Sequence, residues 1–194
     1  MTDKTVLRSS LAAARRARTQ EQREQARTAI RQHVLAGCRS RRLPAGSVIA
    51  AYEPLPSEPG SIQLLAELTA AGYRVIVPVT LPDRDLDWVG WSPGAEPGPP
   101  LGLTAIAAAR LVLVPAFAVD PAGNRLGRGG GSYDRALTRV TSTAPVAALL
   151  YQDELVAEVP VDDWDRPVTS VVTPDGWREL RPARGRDAVD AAPE

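Results

Sequence analysis

The sequence predicts an α/β fold, a three-layer α/β/α arrangement with a mostly parallel central sheet and a pair of N-terminal helices. Short apolar runs rich in β-branched residues alternate with segments of helical spacing after Pro44. Such alternation is typical of parallel sheets covered by helices on both faces. The chain has 194 residues, of which 44% are apolar and 24% charged, as in globular domains with a real core.

The first part of the chain is rich in alanine, arginine and glutamine and contains no glycine or proline before Gly37. These residue types have high helix propensity. Thr19 and Gln22 have the spacing of a capping box, which marks a helix start. The prediction is two helices, over about 3–17 and 20–36.

The remaining elements follow from changes in periodicity between turn residues. The first strand, helix and second strand form a βαβ unit, and residues 92–102, with four prolines and three glycines, form a loop. Strands are predicted over 47–52, 73–79, 87–91 (an exposed edge), 111–114, 146–151 and 168–173, and helices over 62–71 and 133–140. Ligands are expected where the carboxyl ends of parallel strands lead into loops.

The apolar content falls from Asp175 onward, where arginine, aspartate, proline and alanine dominate. We therefore expect a single domain over 1–174 and a flexible C-terminal tail over 175–194. No apolar run reaches the roughly 18 to 20 residues that span a bilayer, and no signal-peptide pattern is present. These observations predict a cytoplasmic protein without membrane contacts, and we expect a monomer.

Several classes of site chemistry are excluded by composition. Cys38 is the only cysteine and His33 the only histidine, so the chain has no internal disulfide and no Cys/His zinc cluster. Most catalytic triads are excluded too, because each would depend on His33. Both residues are interpreted as ordinary helix residues.

The formal net charge is zero, but residues 1–42 carry eleven cations against three acids. This segment is either a solvated helical face or a surface that binds polyanions such as RNA, and the zero charge of the whole chain argues against the second. Lys4 is the only lysine beside 22 arginines. Its ammonium is a candidate for a place where a compact point charge is needed.

The most informative stretch is VPAFAVDPAGNRLGRGGGSYDR, over residues 114–135. It follows a predicted strand, precedes a helix and contains five glycines, which let backbone N–H groups approach a phosphate closely. It matches neither the P-loop, which needs a lysine, nor the dinucleotide fingerprint. Its cations and the acid at the helix start predict a nucleoside triphosphate site with Mg²⁺ outside those patterns.

The block RLGRGGGSYDR closely resembles the signature of the 5-formyltetrahydrofolate cyclo-ligase family, also called 5,10-methenyltetrahydrofolate synthetases. The resemblance runs from Lys4 to about Thr173. Further matches, in order, are Lys4 with Arg8, the segment 52–58, Gln152, and the segment 159–165.

The resemblance implies roles for fourteen residues. The ATP ligands would be Lys4, Arg8, Arg125, Leu126, Gly127, Arg128, Gly129, Gly130, Gly131, Ser132 and Tyr133. The folate ligands would be Glu58, Arg128, Gly129, Gly130, Gly131 and Ser132. The Mg²⁺ ligands would be Asp134 and Asp165, and the catalytic groups Lys4, Arg125 and Arg128.

The implied activity is that of a ligase of folate one-carbon metabolism. It would convert 5-formyltetrahydrofolate into 5,10-methenyltetrahydrofolate with ATP as co-substrate and Mg²⁺ as cofactor, releasing ADP and phosphate after phosphorylation of the formyl oxygen. Three positions depart from the family pattern. Ser132 replaces a common Tyr, Thr169 replaces an acid, and Trp164 stands where His or another polar residue is common.

Two other functions remain as alternatives. The basic N-terminal segment could serve a polyanion- or RNA-binding module, whose affinity would fall steeply with salt and be indifferent to ATP. The glycine-rich stretch could also serve an ATP-dependent kinase or ligase acting on another small molecule. Only the folate pocket separates that reading from the cyclo-ligase.

Overall fold

The computed structural model describes residues 3–180. The helices are α1 (Lys4–Ala17), α2 (Gln20–Ser40), α3 (Ile62–Ala70) and α4 (Ser132–Leu137), with 3-10 helices at Leu103–Ala108 and Gln152–Glu154. The strands are β1 (Val48–Ala50), β2 (Arg74–Thr80), β3 (Leu86–Trp91), β4 (Ala109–Pro115), β5 (Ala118–Val119), β6 (Arg125–Leu126), β7 (Val146–Leu149), β8 (Ser170–Thr173) and β9 (Gly176–Glu179).

Seven of the strands form one sheet in the order β3-β2-β1-β4-β7-β8-β9, and β5 and β6 form a separate hairpin. The five inner strands are parallel to one another, whereas β3 and β9 pair antiparallel at the two edges. From β1 the strand order continues through β2 to β3 at one edge, and from β4 it continues through β7 and β8 to β9 at the other edge. The predicted α/β fold with a mostly parallel sheet is therefore confirmed.

Helices cover both faces of the sheet, each through its own apolar cluster. On one face, α2 and α3 contribute Ile30, Val34 and Leu68 to a buried cluster with β1, β2 and β4. On the other face, Ala136 and Leu137 of α4 join the 3-10 segment around residue 106. Burial of these side chains is the main favourable free energy of the fold.

Helix α1 packs beyond the end of the sheet, against the β5–β6 hairpin. Leu11 lies in a third apolar cluster with Ala118, Leu126 and Val159. Arg15, on the same face, is buried and donates from Nε and Nη2 to the two carboxylate oxygens of Glu154, at 2.6 and 2.8 Å. Burial opposes the charge of Arg15, but the hydrogen bonds and charge of Glu154 outweigh it and raise the pKa of the guanidinium.

The capping box that separates the first two helices is present as predicted. Thr19 Oγ1 accepts from the Gln22 backbone N–H, and Gln22 Oε1 accepts from the Thr19 N–H. The predicted end of the second helix at 36 is wrong, because α2 continues through Gly37 to Ser40. This glycine serves packing: a Cβ there would come within 2.7 Å of the Trp177 ring.

The start of the predicted tail is too early. Gly176–Glu179 forms β9, which pairs with β8 and places Trp177 against α2. Apolar content was a poor guide here because an edge strand with one covered face needs few apolar residues. The rest of the predicted tail, 181–194, lies outside the described residues.

Several predicted elements have different lengths in the structure. The predicted helix 133–140 is shorter, since α4 has six residues and is followed by a turn. Strands β1 and β7 end before the predicted ends of 52 and 151, yet Tyr52 and Tyr151 are buried. The β3 strand lies at the predicted edge, but its Trp88 is fully buried rather than exposed. Apolar residues beyond a strand end cover other parts of the core, so composition overestimates strand length.

Cys38 and His33, the two residues excluded from site chemistry, lie in the packed part of the fold. Cys38 is fully buried in the α2 cluster, and burial raises the pKa of its thiol to about 11. His33 Nε2 lies 3.1 Å from the carbonyl oxygen of Pro174. Within residues 3–180, none of the helices combines the length and the apolar character that crossing a bilayer demands.

The Arg15–Glu154 pair provides a test of how α1 is held. Arg15→Met leaves a buried carboxylate without its partner, and such a change costs about 3–5 kcal/mol of unfolding free energy. Urea unfolding followed by circular dichroism measures it. Arg16→Met, one residue along at an exposed position, is the control and should change stability by less than about 0.5 kcal/mol. Equal effects of the two variants would contradict the structural role of this pair.

A second pair gives a pH dependence. Arg139 donates two hydrogen bonds to the carboxylate of Asp85, at 2.9 and 2.6 Å, and holds the pKa of Asp85 below its ordinary value. Such a carboxylate adds stability that is present above its unfolded pKa of about 3.9 and lost as the pH falls through the folded value. Asp85→Asn should cost about 1 kcal/mol at neutral pH, because partial exposure of Arg139 screens the pair.

The unfolding free energies of wild type and Asp85→Asn should therefore converge when urea titrations are repeated below about pH 4. Glu96→Gln, at an exposed loop position, is the control and should track wild type at every pH. A difference for Asp85→Asn that stays constant down to acid pH would show that the ion pair does not act through its charge.

Candidate functional site

A cavity of about 380 Å³ opens at the carboxyl ends of β1 and β4, where the direction of strand order reverses. This is the position at which open α/β sheets bind ligands. Its wall includes the start of α1, the loop after β1, the glycine loop (residues 127–131) and the acid loop (residues 160–167), together with residues of β2, β3 and β4. The cavity therefore lies at the end of the sheet where ligands are expected.

The glycine loop leaves the β5–β6 hairpin and ends at α4. Gly129 and Gly131 have φ angles of +93° and +67°, a conformation that L-residues with side chains rarely adopt. Arg8 donates from Nε to the carbonyl oxygen of Gly127 at 2.8 Å, which ties α1 to the loop. Within the described part of the chain, the backbone N–H groups of 128–131 donate to no backbone or side-chain acceptor. The loop thus presents donors and cations to the cavity.

The two arginines beside the loop differ in burial. The Arg125 side chain is 3% exposed and donates from Nη2 to Asp134 Oδ1 at 2.9 Å, whereas Arg128 is 61% exposed and its Nη1 lies 3.6 Å from Glu58 Oε1. Tyr133 packs with its ring 5.7 Å from the Arg125 guanidinium carbon. Burial raises the pKa of Tyr133 well above its ordinary value. The Tyr133 hydroxyl and Arg125 Nε are buried without protein partners, so each retains hydrogen-bonding capacity.

Lys4 lies between the carboxylates of the acid loop. Its Nζ contacts Asp162 Oδ2 at 2.6 Å and Asp165 Oδ2 at 2.7 Å. Partial burial opposes the charge of Lys4, but hydrogen bonds and charge from both aspartates outweigh it and raise its pKa. A compact ammonium suits this bridging position better than a planar guanidinium does.

Asp134 lies beside the same loop. Its Oδ1 accepts from the backbone N–H of Arg166 at 3.2 Å, which brings Asp134 next to Asp165 along the chain. Among residues 3–180 there is no group of three or more His, Cys, Asp or Glu side chains able to hold a metal ion. One or two carboxylates are the usual protein contribution to a Mg²⁺ site, and the ion takes its remaining ligands from phosphate and water.

A sequence profile described as the 5-formyltetrahydrofolate cyclo-ligase family matches residues 1–174. A 5-formyltetrahydrofolate cyclo-ligase from Mycolicibacterium smegmatis is 43% identical over 145 residues, which cover 67% of this chain and 75% of the relative. The chain belongs to the 5-formyltetrahydrofolate cyclo-ligase family. The resemblance of its RLGRGGGSYDR block to that family is thereby confirmed.

Two solved structures of 5,10-methenyltetrahydrofolate synthetases have the same fold. The one from Aquifex aeolicus, determined by NMR, has a TM-score of 0.71 at 27% identity and covers 93% of this chain and 94% of its own. The one from Mycoplasma pneumoniae has a TM-score of 0.75 at 21% identity, with coverage of 89% and 99%.

The fourteen residues to which the resemblance assigns a role all line this one cavity. They come from four distant parts of the chain and comprise Lys4, Arg8, Glu58, Arg125, Leu126, Gly127, Arg128, Gly129, Gly130, Gly131, Ser132, Tyr133, Asp134 and Asp165. Their shared location agrees with a common site, and the role of each residue stays a prediction.

The three departures from the cyclo-ligase pattern lie in different places. Ser132 and Trp164 line the cavity, and Trp164 is 67% exposed. Thr169 does not line it: its hydroxyl accepts from the Val146 N–H and donates to the Val146 carbonyl, joining β7 to the start of β8. At position 169, this chain therefore has a threonine that joins two strands in place of the family's acid.

Sequence reasoning missed two charged residues of the cavity, Arg15 and Asp162. Arg15 lies eleven residues after Lys4 and seven residues after Arg8. Both intervals are close to whole numbers of helical turns, so one face of α1 carries all three cations. That spacing was a usable signal. Asp162 could not be separated from its neighbours in a run of exposed acids. The apolar lining was missed as well, and it consists of Pro78, Leu86, Pro115, Ala116 and Phe117 with Thr80.

Proposed function

We propose that this chain is an ATP- and Mg²⁺-dependent cyclo-ligase that closes 5-formyltetrahydrofolate to 5,10-methenyltetrahydrofolate and releases ADP and phosphate. The observation that carries the proposal is the convergence of the family's signature residues with Lys4, Arg8 and two carboxylates on one cavity. The names of the relatives supply the folate substrate and product.

The reaction needs an activated oxygen. The formyl oxygen on N5 belongs to an amide-like group and is a poor leaving group, so it takes the γ-phosphoryl group of ATP and becomes an imidate ester. N10 of the same folate then attacks the formyl carbon, the C–O bond breaks, and the N10 proton is lost as phosphate departs. The protein must hold two substrates in line and neutralise the charge that develops on the transferred group.

The cations and the glycine loop serve the triphosphate. Arg125 is buried and preorganised by Asp134, so its charge is in place before the substrates bind. Lys4 and Arg8 project from one face of α1, and Arg8 already contacts the loop. The unpaired N–H groups of 128–131 complete the set of donors.

Asp134 and Asp165 would hold Mg²⁺, which neutralises phosphate charge when it is bound. The cations that contact these carboxylates, Arg125 and Lys4, are also the proposed phosphate ligands. Binding of the metal–nucleotide complex would therefore exchange one set of ion pairs for another without burying an unpaired charge.

Glu58 is placed for the folate. It is buried, and its Oε2 accepts from the backbone N–H of Leu55 at 2.9 Å, which fixes the orientation of the carboxylate. Oε1 faces Arg128 at 3.6 Å, beyond hydrogen-bond distance, and is free to accept from a pterin N–H. Ser132 offers a hydroxyl where many relatives have an aromatic ring, so stacking on the folate must come from elsewhere.

The RNA-binding alternative is weakened by how α1 and α2 use their cations. Arg15, Arg18, Arg31 and Arg41 each pair with an acid inside the molecule. These four pairs offset half of the net charge of +8 that residues 1–42 carry. We also propose that the chain acts as a monomer in the cytoplasm.

The activity test uses purified protein with 5-formyltetrahydrofolate and Mg²⁺, with and without ATP. Absorbance of the methenyl product should rise only in the complete mixture, with one ADP formed per product, and stop on addition of a chelator. ATP hydrolysis or phosphorylation of another small molecule, without methenyl product, would favour the kinase alternative and end this proposal.

Arg125→Ala removes the buried, preorganised cation. We expect turnover to fall by about 10²–10³-fold, as when one preorganised donor is lost elsewhere. Arg110→Ala, an exposed arginine of β4, is the control and should retain turnover. Circular dichroism must show that both variants are folded. Near-normal turnover in folded Arg125→Ala would remove this residue from the catalytic set.

Nucleotide binding can be measured at Trp164 without turnover. Of the four tryptophans, Trp88 is buried, while Trp91 and Trp177 are partly covered and hydrogen-bonded to glutamates. ATP with Mg²⁺ should protect Trp164 fluorescence from quenching by acrylamide because it fills the cavity. Trp164→Phe should abolish the protection and Trp91→Phe should keep it. Protection that persists in Trp164→Phe would place the nucleotide elsewhere.

A further inference from the structure

We propose that Asp120 is a positioning residue, which sets the distance between the glycine loop and the acid loop so that together they grip one metal–triphosphate. This inference rests on the proposed function. Asp120 lies in the turn of the β5–β6 hairpin and does not line the cavity. Its role would be exerted through the two loops.

Asp120 is 4% exposed, and its carboxylate accepts four hydrogen bonds. Oδ1 accepts from the backbone N–H groups of Ala122 and Asn124, at 2.9 and 3.0 Å. Oδ2 accepts from Asn124 Nδ2 at 2.8 Å and from the backbone N–H of Val159 at 3.1 Å. No ion pair within residues 3–180 includes Asp120. A buried carboxylate satisfied by N–H donors alone fixes backbone geometry.

The two oxygens of the Asp120 carboxylate hold different segments of the chain. Oδ1 closes the turn that leads directly into Arg125 and the glycine loop. Oδ2 reaches across to Val159, which is buried and is the last residue before the acid loop. One side chain thus links the stem of the glycine loop to the stem of the acid loop.

The far end of the acid loop is held by the same turn. The N–H of Val168 donates to the carbonyl oxygen of Gly123 at 2.8 Å. Gly123 has a φ of +85°, and a Cβ there would come within 2.3 Å of the Val168 carbonyl oxygen. The turn 120–124 therefore clamps both ends of the acid loop, and Asp162 and Asp165 lie between the two clamps.

This arrangement predicts a selective defect. If the hydrogen bonds that join the turn 120–124 to Val159 and Val168 are weakened, the acid loop can move relative to Arg125. The affinity for ligands that contact both loops then falls most. Only the metal–triphosphate is proposed to span them. Folate, held through Glu58 and the glycine loop, should be affected little.

The test variant is Asp120→Asn, which keeps the side-chain shape. Its Oδ1 can still close the turn, but an NH₂ group would face the donors of Val159 and Asn124. We expect the KM for Mg·ATP to rise about tenfold or more, while the KM for 5-formyltetrahydrofolate changes less than about twofold; tenfold corresponds to about 1.4 kcal/mol. The matched control is Asn124→Ala, which removes the other donor to Oδ2 and leaves the Val159 clamp; its KM for Mg·ATP should stay within about twofold of wild type.

Gly123→Ala loosens the opposite clamp through its contact with Val168 and should give the same selectivity, so the inference does not depend on one variant folding. Binding of Mg·ATP is also measured directly, by protection of Trp164 fluorescence and by calorimetry. If wild type binds no Mg·ATP, the proposed function fails. If wild type binds it and folded Asp120→Asn binds it equally well, or loses both substrates alike, the clamp is refuted and the proposed function stands.

Discussion

The structure depends on holding many charges of both signs in one partly enclosed cavity. Bringing charged groups out of water is costly unless each finds a partner. Here Lys4 lies between Asp162 and Asp165, and Arg125 lies against Asp134. These pairs hold the polar groups in position, and they also explain why α1 packs where it does, since its face contributes cations to the cavity.

The same balance links stability to function. The pairs near the surface of the cavity are exchangeable, because water reaches Lys4 and the acid loop. The Arg15–Glu154 pair is almost fully buried and has a bidentate geometry. The molecule thus combines a buried ion pair that docks α1 with the partly exposed ion pairs of Lys4.

The sequence predicts the sheet and its order of elements well, because apolar periodicity reports burial directly. Through the glycine-rich block and its resemblance to a family, it also selects candidate site residues that the fold brings to one cavity. It fails where a residue is required by packing between elements that are distant in the sequence. Gly37 was read as a helix end but allows α2 to approach Trp177, and β9 was missed because few of its residues are apolar. Asp162 could not be identified from the sequence, since only three-dimensional packing distinguishes it from its solvated acidic neighbours.

The contact between Lys4 and Asp165 joins positions 161 residues apart. The start of α1 and the acid loop therefore form opposite walls of the cavity only when the sheet between them is in place. For the experimenter, the same geometry recommends fusing purification tags to the carboxyl end, away from Lys4.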